Sequence, residues 1–350
     1  MDDEIRFCAA PDGVRIAYAT CGSGRPLVRA ATWLTHLDYD WQIYPHLLTG
    51  LSAEHRLVRY DLRGCGLSDR DAVDQSLDAR VGDLGAVIDA CGADRVALLG
   101  LSGGGPAAIA YAVHHPERVS HLILYGSYAL GRARRATTDA ERAEDQALVA
   151  LTRSGWGAPN PAFRRLFTTL YMPDATLEEI AAFDEVQRVA TSAETAARIR
   201  EVASNIDVVD LARQVRVPTL VLHVRDDAAA PFEEGRRLAG LIPGARLVPL
   251  PGRNHILGPR DEACQILFEQ IRRFTADDPQ EHADPAIHLT PRERDILRLV
   301  AAGLDNDTIA RDMYLSPRTV ERHLSNVYTK LGVSGRSARA AAASHFARHA

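Results

Sequence analysis

Ser102 stands in the segment Gly100-Leu101-Ser102-Gly103-Gly104, between an apolar run and an alanine-rich run. The apolar run, RVALLG, predicts a strand, and the following run, PAAIAYAVHH, predicts a helix. Small residues around such a serine allow a sharp strand-to-helix turn that exposes the hydroxyl group. The pattern predicts a nucleophilic serine, and a glycine-rich turn with an incidental serine is the alternative interpretation.

A serine hydroxyl needs a general base, and the base needs an acid that orients it. The downstream segments VLHVRDDAAAP and LVPLPGRNHILG supply both residue types. His255 follows the last strand-like run and is the predicted general base. Asp226 and Asp227 follow the preceding strand-like run, and the residues alone leave both as candidates for the acid. The alternatives are a solvated loop carboxylate and a histidine that serves only packing.

These segments together resemble the α/β-hydrolase superfamily, and YDLRGCGLSDR is close to its D-x-R-G-x-G-x-S segment. In that family an acid stands four residues before a proline that follows the sixth core strand. Aligned on Pro231, this acid is Asp227, and Val224 occupies the position where the family usually has glycine. The resemblance therefore implies a catalytic triad of Ser102, Asp227 and His255.

The same resemblance implies an oxyanion hole made of two backbone N–H groups, those of Trp33 and Gly103. Many relatives have a His-Gly pair before the first of these donors, where this chain has Ala31-Thr32. A serine at the nucleophile position implies acyl transfer through an acyl-serine, as in the hydrolysis of an ester, thioester or lactone. No organic cofactor is expected for this chemistry.

The elements that must position these residues form an α/β pattern. Strand-like runs at 55–61, 95–100, 121–126, 218–224 and 245–250 alternate with helix-like segments, after a hairpin pattern within residues 5–31. Such alternation predicts a mostly parallel sheet covered by helices. Together with this pattern, the resemblance implies an α/β-hydrolase fold over residues 1–274. A segment rich in acids and prolines predicts a linker at 275–288.

The stretch between residues 127 and 207 is helical in pattern and rich in Ala, Arg and Glu. It predicts a helical cap, at about 128–206, inserted into the α/β pattern. Its large apolar residues would either line a ligand pocket or form the core of the cap; these residues are Trp156, Phe163, Phe167, Tyr171 and Met172.

The tail, residues 289–350, begins with LTPRERDILRLVAAG. Thr290 as N-cap, Pro291 at the first helical position and Glu293 three residues after the cap predict a capping box, and Gly303 predicts the end of the helix. A second, short helix follows in LDNDTIARDMYL, with Ile309, Ala310 and Met313 on one side.

A third helix is predicted in SPRTVERHLSNVYTKLG, with Ser316 as N-cap and Gly332 as its end. At 100° per residue one face is apolar, formed by Val320, Leu324, Val327 and Leu331. The opposite face is polar and basic, formed by Arg318, Thr319, Arg322, Ser325, Asn326 and Thr329. Two helices joined by a short turn, the second with such a face, are typical of a helix-turn-helix that enters the major groove. A small helical bundle with a solvated polar face is the alternative.

The segments LTPRERDIL, GLDNDTIA and LSPRTVERHLSNVYTKLGV, with Arg336, resemble the LuxR-type DNA-binding domain over almost its full length. The resemblance implies double-stranded DNA as a partner and 317–330 as the recognition helix. The residues facing base edges would be Glu321, Arg322 and Ser325. The residues contacting phosphates would be Arg318, Thr319, Asn326 and Lys330. The final helix would support a homodimer, as in that family.

Charge divides in the same way as the motifs. The 350 residues carry a net charge of −5, but the tail has ten Lys or Arg and six Asp or Glu, which makes it +4 and the remainder −9. Only the tail therefore has the net positive charge that favours binding to phosphate groups. The first residues, MDDEIRFCAAPDG, lack the basic and apolar regions of a signal peptide, and no segment predicts a membrane span, so a cytoplasmic protein without membrane partners is expected.

Five scattered cysteines without a CxxC pair predict reduced thiols, with neither a disulfide framework nor a metal site. Three functions remain compatible with the sequence. The first is a transcriptional regulator whose hydrolase-like domain binds, and in one version hydrolyses, a small ester- or lactone-like molecule. The second is an active serine hydrolase with an autoregulatory DNA-binding tail. The third, an interaction scaffold with an inactive pocket, is disfavoured because all three triad residue types occur in the expected order.

Overall fold

A computed structural model describes residues 4–276, 291–313 and 315–330, residues 333, 335, 338 and 339, and residues 341–343. The chain divides into two compact units, and the boundary falls after Ala276. In the described residues the first unit has eight strands: β1 Ile5–Ala9, β2 Arg15–Cys21, β3 Arg25–Ala30, β4 His55–Tyr60, β5 Val96–Leu101, β6 Val119–Tyr125, β7 Thr219–Val224 and β8 Arg246–Leu250.

The helices of the first unit cover the sheet and form an insertion between β6 and β7. They are α1 Leu37–Ile43, α2 Pro45–Ser52, α3 Leu77–Ala90, α4 Gly105–His114, α5 Arg132–Arg135, α6 Asp139–Gly155, α7 Ala162–Tyr171, α8 Leu177–Ala190, α9 Ala193–Asn205, α10 Val209–Gln214, α11 Phe232–Leu241 and α12 Glu262–Ala276. The insertion is the cap, with helices α5 to α9. The last helix, α12, extends two residues into the predicted linker, and the rest of that linker lies outside the described residues.

The sheet has the order β1-β2-β4-β3-β5-β6-β7-β8. Strands β3 to β8 run parallel to one another, while β2 pairs antiparallel with both β1 and β4. Successive strand residues point to opposite faces, so Leu98 and Leu122 enter one buried cluster while Leu99 and Ile123 enter the other. Both faces are therefore covered, as parallel sheets require. The loops after β3, β5, β7 and β8 all leave from the carboxyl edge, which is where ligands bind in such sheets.

The segment YDLRGCGLSDR, which resembles the α/β-hydrolase pattern, forms a buried loop after β4 that contacts neighbouring loops and α3. Asp61 accepts hydrogen bonds from the backbone N–H groups of Leu37 and Leu67. Arg63 forms two hydrogen bonds with Asp83 on α3, at 2.8 and 2.6 Å, and neither side chain is more than 1% exposed. This segment therefore has a structural role, since it fixes the loops beside the sheet edge.

The second unit is helical in the residues that are described. It contains α13 Pro291–Ala301, α14 Asn306–Asp312 and α15 Pro317–Lys330. Gly303 ends α13 with φ +86°, and Ser316 Oγ accepts a hydrogen bond from the N–H of Thr319, so both predicted boundary residues are confirmed. The predicted apolar stripe is buried at Val320, Leu324 and Val327. Thr290, Leu331, Gly332, Arg336 and most of the final helix lie outside the described residues.

The five cysteines are free thiols, four of them buried. No helix in the described ranges is long and apolar enough to cross a bilayer. The three tryptophans, Trp33, Trp41 and Trp156, all belong to the first unit. Their fluorescence therefore reports the unfolding of that unit alone.

The Arg63–Asp83 ion pair gives a test of the fold. Asp83→Ala removes the buried carboxylate that faces Arg63 and should lower the free energy of unfolding by up to about 3 kcal/mol, because Asp12 still pairs with Arg63 at 2.7 Å. The matched control is Asp89→Ala on the same helix, whose partner contact with Arg118 is at the surface and should cost no more than about 1 kcal/mol. Urea unfolding followed by tryptophan fluorescence measures both, and equal losses would contradict the structural role of the pair.

Candidate active site and nucleic-acid interface

Ser102 sits at the turn between β5 and α4. Its φ is +45°, and among the described residues it is the one non-glycine residue in the left-handed region. This conformation costs about 1–2 kcal/mol in an L-residue. A short turn, Ser102–Gly104, then leads directly into α4. The serine is therefore held in a strained conformation that the surrounding packing must enforce.

Three neighbouring glycines allow the turn because a side chain at each would collide with a neighbour. A Cβ at Gly104 would lie 2.6 Å from the carbonyl oxygen of Ala30, and one at Gly100 would lie 2.7 Å from Cα of Gly105. A Cβ at Gly105 would overlap the hydroxyl of Ser127. The close approach of β5, β3 and α4 therefore explains the G-x-S-x-G pattern in physical terms.

His255 and Asp227 form a buried pair on the loops after β8 and β7. His255 Nδ1 donates to Asp227 Oδ2 at 2.6 Å, while Asp227 Oδ1 accepts the backbone N–H groups of Ala229 and Ala230, each at 2.9 Å. Burial acts to raise the pKa of Asp227, but the charge and hydrogen bond of His255 and the Ala230 N–H outweigh it, so this pKa is lowered. The carboxylate stays ionised, and Nε2 is the histidine nitrogen left for a serine proton.

The structure separates the two candidate acids. Asp226 is exposed, and its backbone N–H donates to the carbonyl of Gly252. Asp227 is 5% exposed and contacts His255. Asp227 is therefore the carboxylate that the fold brings to the histidine.

Sequence reasoning missed the residues that hold His255 in place. Tyr125 on β6 donates its hydroxyl proton to the His255 carbonyl at 2.6 Å, and Tyr171 on the cap accepts the N–H groups of His255 and Ile256 through its own carbonyl. His223 on β7 donates from Nε2 to the Ala230 carbonyl at 2.7 Å and so supports the turn around Asp227. Of these three residues only His223 had a signal in the sequence, because it is a histidine inside an otherwise apolar strand.

Two cavities meet at Ser102 and His255, which line both of them. The first is an open space of about 880 Å³, counted with the solvent at its mouth, and is largely apolar, with Leu99 and Phe183 in its wall. The second encloses about 620 Å³. Trp33 lines both cavities and Gly103 lines the second, so both residues whose N–H groups are predicted to form the oxyanion hole lie beside Ser102. Within the described residues no cluster of His, Cys, Asp or Glu is placed to hold a metal ion.

The apolar residues of the cap divide between pocket and core. Tyr171 lines both cavities. Trp156, Phe167 and Met172 are buried in the cap's own cluster, and Phe163 is 37% exposed at the surface. Of the five residues singled out from the sequence, Tyr171 is thus the one found in the lining of these two cavities.

The recognition-helix candidates lie on α15. Its exposed side chains at the predicted positions are Arg318, Glu321, Arg322, Ser325 and Asn326. Thr319 is half-buried, and its hydroxyl shares a hydrogen bond with that of Ser316 at 2.8 Å. The polar face opposite the buried stripe therefore exists as a continuous exposed surface of one helix.

Two tail residues form an ion pair that the sequence did not indicate. Lys330 Nζ lies 2.6 Å from Oε2 of Glu293, whose side chain is 4% exposed, so this ammonium links α15 to α13. Glu293 was expected in a capping box with Thr290, which lies outside the described residues. A buried carboxylate needs a partner, and Lys330 supplies one.

Comparison with known proteins extends these observations. The profile of the alpha/beta hydrolase family matches residues 24–269, and that of the luxR family of bacterial regulatory proteins matches residues 288–343. A 2-hydroxymuconate semialdehyde hydrolase of Pseudomonas putida is 32% identical over 237 residues, covering 64% of this chain and 75% of that protein. A protein of Mycobacterium bovis named as an HTH-type transcriptional regulator is 56% identical over 48 residues, 14% of this chain and 5% of that protein.

Among solved structures, an esterase from Exiguobacterium antarcticum superposes with a TM-score of 0.66 at 24% identity, covering 77% of this chain and 99% of that one. This likeness shows the fold of the first unit. The chain belongs to the alpha/beta hydrolase family and carries, in its second unit, a DNA-binding domain of the luxR family.

Proposed function

We propose that this protein is a transcriptional regulator whose α/β-hydrolase domain binds a small ester- or lactone-like molecule and thereby changes DNA binding by the luxR-type domain. The observation that carries the proposal is the ordered His255–Asp227 pair beside Ser102 at the meeting point of two cavities. Such a pocket suits a small acyl compound. The second unit adds an exposed basic helix of the type that reads DNA.

The same geometry supports catalysis by three named residues. Ser102 Oγ attacks the carbonyl carbon while its proton passes to His255 Nε2, and Asp227 holds the imidazole in the required tautomer. The N–H groups of Trp33 and Gly103 stabilise the oxyanion. The alcohol then leaves with the proton from His255, and water releases the acyl group by the reverse sequence. The alternative function, an active serine hydrolase with an autoregulatory tail, depends on the same His255–Asp227 pair.

On DNA, α15 serves as the recognition helix. Glu321, Arg322 and Ser325 face base edges, and Arg318, Thr319 and Asn326 contact phosphates or the surrounding backbone. Lys330, which is partly exposed and also pairs with Glu293, contacts a phosphate as well. We further propose that the protein works as a cytoplasmic homodimer, since two-fold symmetric operators require two such helices.

The triad is tested by comparing neighbouring aspartates. Asp227→Asn should lower kcat/KM for 4-nitrophenyl butyrate on the order of 10⁴-fold, because the imidazole loses its orienting charge. Asp226→Asn removes an exposed carboxylate and should leave the rate within about twofold of wild type, as for other surface changes. A fluorophosphonate probe should label wild type but not Ser102→Ala. Equal rates in the two aspartate variants would contradict the triad.

DNA reading is tested with an operator selected from random DNA by the full-length protein. Arg322→Ala should weaken binding to this operator by about 1–3 kcal/mol, since its side chain would contact a base. Arg298→Ala on α13, where the arginine faces Asp295, is the control and should bind as wild type. Fluorescence anisotropy measures both variants, and an unchanged affinity for Arg322→Ala would contradict its role.

A test of coupling between the two units distinguishes the regulator hypothesis from the hypothesis of a hydrolase with an autoregulatory tail. Protein labelled on Ser102 with a fluorophosphonate carries a permanently occupied pocket, so its operator affinity should differ from that of unlabelled protein by about 5- to 150-fold. Ser102→Ala, treated in the same way, should show no change. If labelled and unlabelled protein bind the operator equally, the pocket does not control DNA binding and the hydrolase alternative stands.

A further inference from the structure

The second cavity has a pronounced positive lining. Arg132, Arg135 and Arg200 from the cap contribute to its wall, next to Ser102 and His255. No Asp or Glu occurs among the described residues of this lining. The first cavity is largely apolar, so the two spaces that meet at the serine differ in chemistry.

Of the three arginines in this lining, Arg200 is the most buried. It is 8% exposed, and its guanidinium carbon lies 4.5 Å from the ring centroid of Trp33 and 4.5 Å from that of Phe167. Its Nε and Nη2 atoms are buried and have no hydrogen-bond partner within the described part of the chain. A buried charge without a partner is costly, so an anion in this cavity would be bound favourably.

Of the other two arginines, Arg132 is paired with a carboxylate, since its Nη2 lies 2.7 Å from Oε1 of Glu144. Arg135 donates to the Leu130 carbonyl, and burial lowers its pKa, with the negative charges of Glu234 and Asp145 acting in the opposite direction. Glu234 itself pairs with Arg237. The lining of the cavity therefore has a surplus of positive charge, which suits an anionic group of a ligand.

We propose that Arg200 binds a carboxylate of the ligand, so that the molecule recognised here is an anionic ester. Its scissile carbonyl lies at Ser102, its apolar part occupies the first cavity, and its carboxylate lies beside Arg200 in the second. This inference rests on the proposed function, because it takes Ser102 as the residue that receives the carbonyl. Arg200 is a binding residue, since the planar guanidinium fork matches the two carboxylate oxygens.

The test uses two probes that differ in one charge, 4-butyryloxy-3-nitrobenzoate and the neutral 4-butyryloxy-3-nitrobenzamide. Full-length Ser102→Ala binds them without turnover, and calorimetry should show at least about tenfold tighter binding of the carboxylate, as expected for a charged hydrogen bond. Adding Arg200→Gln should abolish this preference. Adding Arg198→Gln should preserve it, because Arg198 is on the same helix, faces Glu194 and is absent from the lining of both cavities.

Arg200→Lys separates charge from packing, because it keeps the positive charge and should retain part of the preference that Arg200→Gln loses. If Ser102→Ala, with Arg200 intact, binds the two probes equally tightly, the proposal is overturned. A loss that is the same for both probes in Arg200→Gln would also overturn it, since that outcome indicates damage to the pocket.

Hydrolysis by the wild-type protein, read from release of the nitrophenolate, distinguishes this proposal from the one on which it rests. If neither probe is hydrolysed but the carboxylate still binds more tightly, the catalytic part of the proposed function fails and the anion site stands. If both are hydrolysed equally well and bind equally well, hydrolysis stands and the anion site fails.

Discussion

The left-handed backbone of Ser102 is the constraint on which the geometry of the predicted active site depends. The strain is local, but the restraints come from several elements: β5 supplies the residue before the turn, α4 begins directly after it, and the end of β3 lies against Gly104. The strained turn can persist only because the buried parallel sheet fixes these elements. The eight-stranded core therefore stabilises the turn at its edge, because the free energy of packing offsets the local strain.

Much of this arrangement could be predicted from the sequence because its signals are local. Apolar runs placed the strands, and glycines marked the turn around Ser102. Buried stripe residues such as Val320 follow the helical period. The family resemblance selected Asp227, which geometry places against His255. These features depend on residues that are close in the chain or on a pattern that recurs in many relatives.

The remaining features depend on contacts between distant segments, which periodicity does not encode. Arg200 is one charged residue in an arginine-rich helical segment, and its burial between Trp33 and Phe167 follows only from the way the cap closes over the sheet edge. The ion pair between Lys330 and Glu293 joins residues that are 37 positions apart. Tyr125 likewise reaches His255 across 130 residues.

Hydrogen bonds join the cap to the loop after β8, which carries His255. The Tyr171 carbonyl holds the N–H groups of His255 and Ile256, while Asp174 pairs with Arg253 through its carboxylate and donates its N–H to Asn254. A displacement of the cap would therefore act on the loop that carries His255. Arg200 belongs to the same cap, so the buried arginine of the second cavity and His255 are connected through a few hydrogen bonds between cap and loop. The position of His255 thus depends on the cap as well as on the sheet edge, because Tyr171 holds its N–H while Asp227 holds its ring.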